Sequence, residues 1–281
     1  MHVLIATIES SQMEDTLLIS QQFIKENDDQ PTFLKVLYPD SLAGKAHDRS
    51  KDIELKLQAY KNKIREIVNI EKFRAKLRVG KPEVEILTEA RQYPYDLLIF
   101  DDLDKVKRNL GLKRTIAQRI TEKAPCSVLI VRGLNRPFRK ILLCDSGAEE
   151  SRLMSKYLAQ VINVLGNEEM PTVLHVMSQI SAGPGVRGTQ LRAEADELIE
   201  NHTPEGDLLK RDMETLKEAG LEPSVKIRHG LVVDEILAEA KSGDYDLVVI
   251  GINQERWQHF LLDDLAQQII KKLDRPILVL K

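Results

Sequence analysis

Several stretches of the chain carry residue types suited to a phosphate, a cation or a nucleophilic attack. Gly183-Pro184-Gly185-Val186-Arg187-Gly188 matches Gly-x-Gly-x-x-Gly, the spacing that lets backbone N–H groups approach a pyrophosphate. It follows the second strand of its unit rather than the first, and Pro184 intrudes where the tight turn would form. We therefore read it as a loop after strand two. Asp145-Ser146-Gly147 sets a hydroxyl beside a carboxylate, but no Gly-x-Ser-x-Gly elbow surrounds Ser146 and no histidine partner can be nominated, so catalysis is not expected. Asp101, Asp102 and Asp104 are a candidate Mg²⁺ cluster or a cap for the following helix, and capping is the expectation. His2, His47, His175, His202, His229 and His259 are scattered, as are Cys126 and Cys144, so no metal site is expected. Lys72, Arg74, Lys76 and Arg78 alternate with Phe73, Ala75, Leu77 and Val79, which makes one face of a strand basic. Such charge at a sheet edge discourages edge-to-edge aggregation; the alternative is a phosphate or nucleic-acid stripe. No aromatic platform is interleaved on that face, so edge protection is preferred and nucleic acid is not expected as a partner. Lys105 to Arg108, with Lys113 and Arg114, reads as a solvated helical face.

The elements that must position these residues alternate in period. Lys140 to Cys144, Thr172 to Met177, Ser224 to Arg228, Tyr245 to Ile250 and Pro276 to Leu280 read as buried strands. Helical stretches fall between them, at Glu149 to about Leu165, within Thr189 to Ala219, at Asp234 to Lys241 and at Gln254 to Lys272. Short strands alternating with helices imply βαβ units and a parallel sheet covered on both faces.

The same pattern occurs twice. Gly80 to Asp101 and Gly230 to Gly251, offset by 150, share 9 of 22 residues, including Glu85-Ile86-Leu87 with Glu235-Ile236-Leu237 and Tyr95-Asp96-Leu97 with Tyr245-Asp246-Leu247. Thr32 to Val36 falls on Thr172 to Val176, and Ile116-Ala117-Gln118 falls on Leu265-Ala266-Gln267. The chain is a duplication, with domains at 1–136 and 137–281 and a linker at Gly133 to Pro137.

A strand ending in Asp (Ile141 to Ser146), a glycine before an Ile-Leu-Ala helix (Gly230 to Ala240) and Tyr-Asp-Leu-Val-Val-Ile-Gly at 245–251 together resemble a universal stress protein domain of the UspA type. Ala124 to Val131 and Pro276 to Val279 are similar to the last strand of that family. The resemblance covers the whole chain twice. It implies two tandem Rossmann-like domains of the adenine nucleotide alpha hydrolase-like kind, each a five-stranded parallel sheet in the order 3-2-1-4-5. It implies a ligand pocket at the switch between strands one and four. It also implies pairing of the domains through their last strands within one chain, with a homodimer left open.

ATP-binding members of that family carry Gly-x-x-Gly, nine residues, then Gly-Ser or Gly-Thr after strand four. Copy one has Asp101 and Asp104 at the first two glycines, Arg114-Thr115 at the last pair and Thr7 where strand one should end in Asp. Copy two keeps Asp145 and Gly251 but has Gln254 at the second glycine and Asp263-Asp264 or Asp264-Leu265 at the last pair. Carboxylates there repel a triphosphate, and each lost glycine closes a backbone approach. The resemblance leaves copy one without a standard ATP site. Asp145, Val176, Gly251 and Gln254 remain as the candidate pocket for ATP, AMP or a less charged ligand in copy two. The expected function is a non-enzymatic stress-response module, with protein partners or a small ligand; the alternative is a nucleotide-binding protein with its site in copy two alone.

Composition fits this reading. With 42% hydrophobic and 30% charged residues the chain is globular in type, and no apolar run approaches the roughly 20 residues of a membrane span. Met1 to Ala6 reads as a first strand rather than a leader, and the cysteines as reduced thiols, so a cytoplasmic location is expected. The net charge of -3 conceals an asymmetry: 24 Lys+Arg against 20 Asp+Glu through Arg136, then 17 against 24. The halves can attract each other or separate partners.

Overall fold

A computed structural model describes residues 1–8, 13–24, 30–42, 46–101, 115–133, 136–145, 171–177, 195–218, 220–251 and 261–281. The chain divides into Met1–Pro137 and Phe138–Lys281. In the first unit β1 (Val3–Ile8), α1 (Met13–Ser20), β2 (Thr32–Leu37), α2 (Ala46–Val68), β3 (Arg74–Val79), α3 (Pro82–Gln92), β4 (Leu97–Asp101), α4 (Ile116–Lys123) and β5 (Ser127–Val131) follow one another. Their sheet is parallel, in the order β3-β2-β1-β4-β5. The second unit contains β6 (Ile141–Asp145), β7 (Thr172–Met177), α5 (Ala195–Glu200), α6 (Pro204–Glu218), β8 (Ser224–His229), α7 (Val232–Ser242), β9 (Leu247–Gly251), α8 (Leu261–Lys272) and β10 (Ile277–Leu280). Within it β8-β7-β6-β9-β10 repeats the same parallel order.

Central strands are buried on both faces, which is why β1, β4, β5 and β9 read as unbroken apolar runs rather than alternating ones. In the first unit α1 packs on α2 and α3 on α4. Lys76 and Arg78 of β3 reach α3, so Leu77 faces the α2 side, and Lys35, in register with Leu77, faces it too. On α2 the buried residues Tyr60, Ile64 and Val68 recur every four positions, one stripe of the helix against the sheet.

The repeat's identities build a scaffold. Asp96 accepts the His2 N–H at 2.7 Å while its own N–H donates to the His2 carbonyl, fixing the start of β1 beside β4. Asp246 does the same in the second unit, accepting from the Arg139 and Lys140 N–H groups at 2.9 and 3.0 Å. Gly80 and Gly230 sit where an added Cβ would come within 2.5 and 2.7 Å of Oε1 of Glu85 and Glu235, so each glycine admits the glutamate five residues on. Cys126 and Cys144 are buried and form no disulfide.

Among the described residues no helix is long and apolar enough to cross a membrane. The helical stretch expected at 149–165, the glycine loop 183–188 and Ser146 lie outside the described residues.

Candidate functional site

The carboxyl ends of the central strands form one row in each unit. In the first it runs Leu77, Lys35, Thr7, Asp101, Val131; in the second, Ile227, His175, Asp145, Gly251, Leu280. One residue beyond the Ala6–Phe100 and Cys144–Ile250 pairs, Thr7 falls beside Asp101 and Asp145 beside Gly251. The acidic residue has therefore changed strands: it ends the fourth strand in copy one and the first in copy two.

Copy one fills this position from within. Thr7 Oγ1 donates to the Tyr60 hydroxyl at 2.9 Å, and both side chains are buried. Asp101 is fully buried as well. Burial pushes the Tyr60 phenol well above its usual range; the Thr7 hydrogen bond opposes this, and the nearby Asp101 charge adds to it. The Lys35 ammonium lies 5.5 Å from the Tyr60 ring centroid. The buried phenol thus lies against the carboxyl ends of β1 and β2.

Asp101 ends β4 inside the core, and α4 is capped by Thr115. Thr115 Oγ1 accepts from the Gln118 N–H at 3.1 Å, and Gln118 Oε1 accepts from the Thr115 N–H at 2.7 Å. The Thr115 and Gln118 N–H groups, which would otherwise face a phosphate, are committed to this capping box. Asp102, Asp104 and Arg114 lie outside the described residues, as does Lys105 to Lys113.

In copy two the candidate residues separate. Asp145 and Gly251 end adjacent strands, while Val176 is half-buried one position beyond His175 and in register with Arg228. Gln254 lies outside the described residues. Gly251 is exposed, its φ is not in the left-handed region, and an added Cβ would meet nothing within 4 Å. Neither backbone conformation nor packing requires a glycine there. His175, the counterpart of Lys35, is buried in the same row.

On the opposite face the basic strand is largely committed. Glu89 of α3 is fully buried and receives Lys76 Nζ at 2.6 Å, Arg78 Nη2 at 2.8 Å and the Tyr95 hydroxyl at 3.0 Å. Glu239 of α7 repeats this with Lys226 at 2.7 Å, Arg228 at 2.8 Å and Tyr245 at 2.9 Å. Burial alone would raise both carboxyl pKa values; the hydrogen bonds from Lys76 and Arg78, or from Lys226 and Arg228, outweigh it and hold both below the ordinary range. Burial pushes Tyr95 up to about 12. β3 does lie at the sheet edge, but Lys76 and Arg78 anchor a buried acid there rather than only fending off other edges.

The sequence carried two signals for residues it did not nominate. Lys226 and Arg228 stand 150 residues after Lys76 and Arg78, and Tyr60 is the aromatic on the α2 stripe.

The Usp model, described as the universal stress protein family, matches residues 1–132 and again 137–281. The chain belongs to the universal stress protein family. A universal stress protein from Archaeoglobus fulgidus is 17% identical, with 100% of this chain and 96% of that chain covered at a TM-score of 0.65. A putative universal stress protein from Pseudomonas aeruginosa is 16% identical, covering 100% and 92% at 0.66. These likenesses show the fold of both halves. A further Archaeoglobus fulgidus universal stress protein, solved in complex with dAMP, is 18% identical over 52% of this chain and 100% of that one, at 0.35. No curated protein matches. Against the nucleotide motif of the family, Asp101 stands at a glycine position in copy one, and Gly251 keeps that glycine in copy two.

Proposed function

We propose that this universal stress protein is a non-enzymatic binding and regulatory module of the stress response, acting in the cytoplasm, with the nucleotide position of copy one closed by its own side chains. The observation that carries this reading is the buried Thr7–Tyr60 hydrogen bond, with Asp101 buried beside it. A ligand entering there must displace a fully buried aromatic ring and bring phosphate charge toward a carboxylate. The capping box at Thr115 further removes two N–H groups, of Thr115 and Gln118, from phosphate binding.

A second reading, an ATP or AMP site in copy two alone, is favoured by Gly251, whose open surroundings suit close approach of a ligand to the backbone. Asp145, Val176, Gly251 and Gln254 would line it. Calorimetric titration with ATP, ADP and AMP, each with and without Mg²⁺, tests both readings. The first expects no saturable site in copy one. Binding at one site per chain that Asp145→Ala abolishes establishes the second reading for copy two. Two sites per chain, or one site that survives Asp145→Ala, overturn the closure of copy one.

A further inference from the structure

At the opposite end of the first unit's sheet lies a groove of about 540 Å³, lined by Ala90, Gln92, Tyr93, Pro94, Tyr95 and Pro125, with Arg91 on its rim. Its size falls within the roughly 300–1,000 Å³ of ligand pockets. The Tyr93 wall is held in place before anything binds. His2 meets its ring edge-on at 5.2 Å, Tyr95 lies 5.4 Å away, and the Arg74 guanidinium stands 5.4 Å from its centroid. A fixed aromatic costs little entropy on binding and is the commonest kind of anchor at interfaces.

Pro94 and Pro125 offer no N–H to a partner strand, so the surface suits recognition of side chains and extended polyproline-like backbone rather than sheet extension. Its charge is mainly positive. Arg74, Arg91 and Lys123 are exposed, against the exposed Asp96, which accepts the His2 N–H and keeps its charge, while Glu89 is taken by Lys76 and Arg78.

Copy two has the same edge without the groove. Gly243 replaces Tyr93, and the Tyr245 ring occupies its missing side chain's place, 2.0 Å from where a Cβ would stand. Asp274 replaces Pro125, and the next residue, Arg275, donates to the Tyr245 carbonyl at 2.9 Å. Ser224 replaces Arg74 and is hydrogen-bonded to Thr172 at 2.9 Å.

We propose that the copy-one groove docks an extended, acidic, proline-containing segment of a partner protein. The site is separate from the strand ends discussed above, so its success or failure does not depend on nucleotide binding.

The test is calorimetric titration of the full chain with acetyl-Glu-Pro-Pro-Glu-Pro-Pro-Glu-amide, its lysine counterpart and a single-stranded thymidine decamer at low salt. The expected result is saturable binding of the acidic peptide alone, weakened about tenfold or more by the double substitution Arg74→Glu and Arg91→Glu. Pro125→Asp, which installs the residue copy two carries and sets a carboxylate against the acidic peptide, is expected to abolish it. Thermal melts establish that the variants fold; should the double variant not fold, Pro125→Asp decides. Absence of acidic-peptide binding, equal binding of the lysine peptide, preference for the decamer, or indifference to Pro125→Asp each overturns the proposal.

Discussion

The two copies agree at the buried Glu89 and Glu239 clusters and differ at the strand ends. Lys76, Arg78, Glu89 and Tyr95 reappear as Lys226, Arg228, Glu239 and Tyr245 with nearly the same distances. At the strand ends Thr7, Lys35 and Asp101 face Asp145, His175 and Gly251. The reason is physical. A buried carboxylate must keep its cations or pay heavily in desolvation, so the network changes only as a set. A strand end need only be filled, by a side chain or by a ligand, and in copy one Tyr60 is hydrogen-bonded to the buried Thr7 there.

Several measurements would break or sharpen this contrast. Tyr60→Ala removes the residue that closes copy one, and the cavity is expected to cost about 3–5 kcal/mol. Urea denaturation checks this, and a cost below about 1 kcal/mol would mean that Tyr60 does not fill the crevice. Glu89→Gln and Glu239→Gln should each cost about 3 kcal/mol, because either leaves a cation cluster without its acid. The two losses should be alike, and a large inequality would contradict the equivalence of the copies.

The same carboxylates give a pH signature. Their folded pKa values lie below the ordinary 4.5, so their stabilisation is complete above that pH and is lost as pH falls through the lower folded values. Replacing both with Gln should flatten the acid limb of a stability–pH curve below about pH 4.5, leaving the neutral plateau lower but level.

Smaller effects separate the paired glycines. Gly230, at φ +154, should lose about 1 kcal/mol on replacement by Ala. Gly80 lacks that positive φ, and Gly80→Ala should cost less, because the Glu85 carboxylate at the end of a flexible side chain can swing aside. Equal losses in thermal melts would remove the distinction. Smallest of all, Gly251→Asp should change stability by less than about 0.5 kcal/mol, since its Cβ meets nothing. It should nevertheless abolish any nucleotide binding by copy two, as it recreates the Asp101 arrangement. A calorimetric titration unchanged by the substitution would exclude Gly251 from a binding role.

Much of the fold was legible because its signals are local. Apolar runs bounded by turns located the strands, and the 150-residue offset exposed the duplication. The basic face of β3 was visible as an alternation, but its anchoring was not. Glu89 lies on a helix whose own pattern gives no sign that it reaches back to Lys76 and Arg78. Asp101 reads along the chain as one of three neighbouring acids, and only strand pairing shows that it ends β4 in the core.

By itself, the sequence determined the family, the repeat and the glycine changes, since periodicity and residue identity are properties of the chain read along its length. Only the tertiary structure decided that Tyr60, 53 residues from Thr7, meets it in a buried hydrogen bond, and that Tyr93 lines a groove where the Tyr245 ring lies against Gly243 in copy two. Whether a cleft is filled depends on which side chains distant segments bring to the same place, and that is fixed by packing rather than by local spacing.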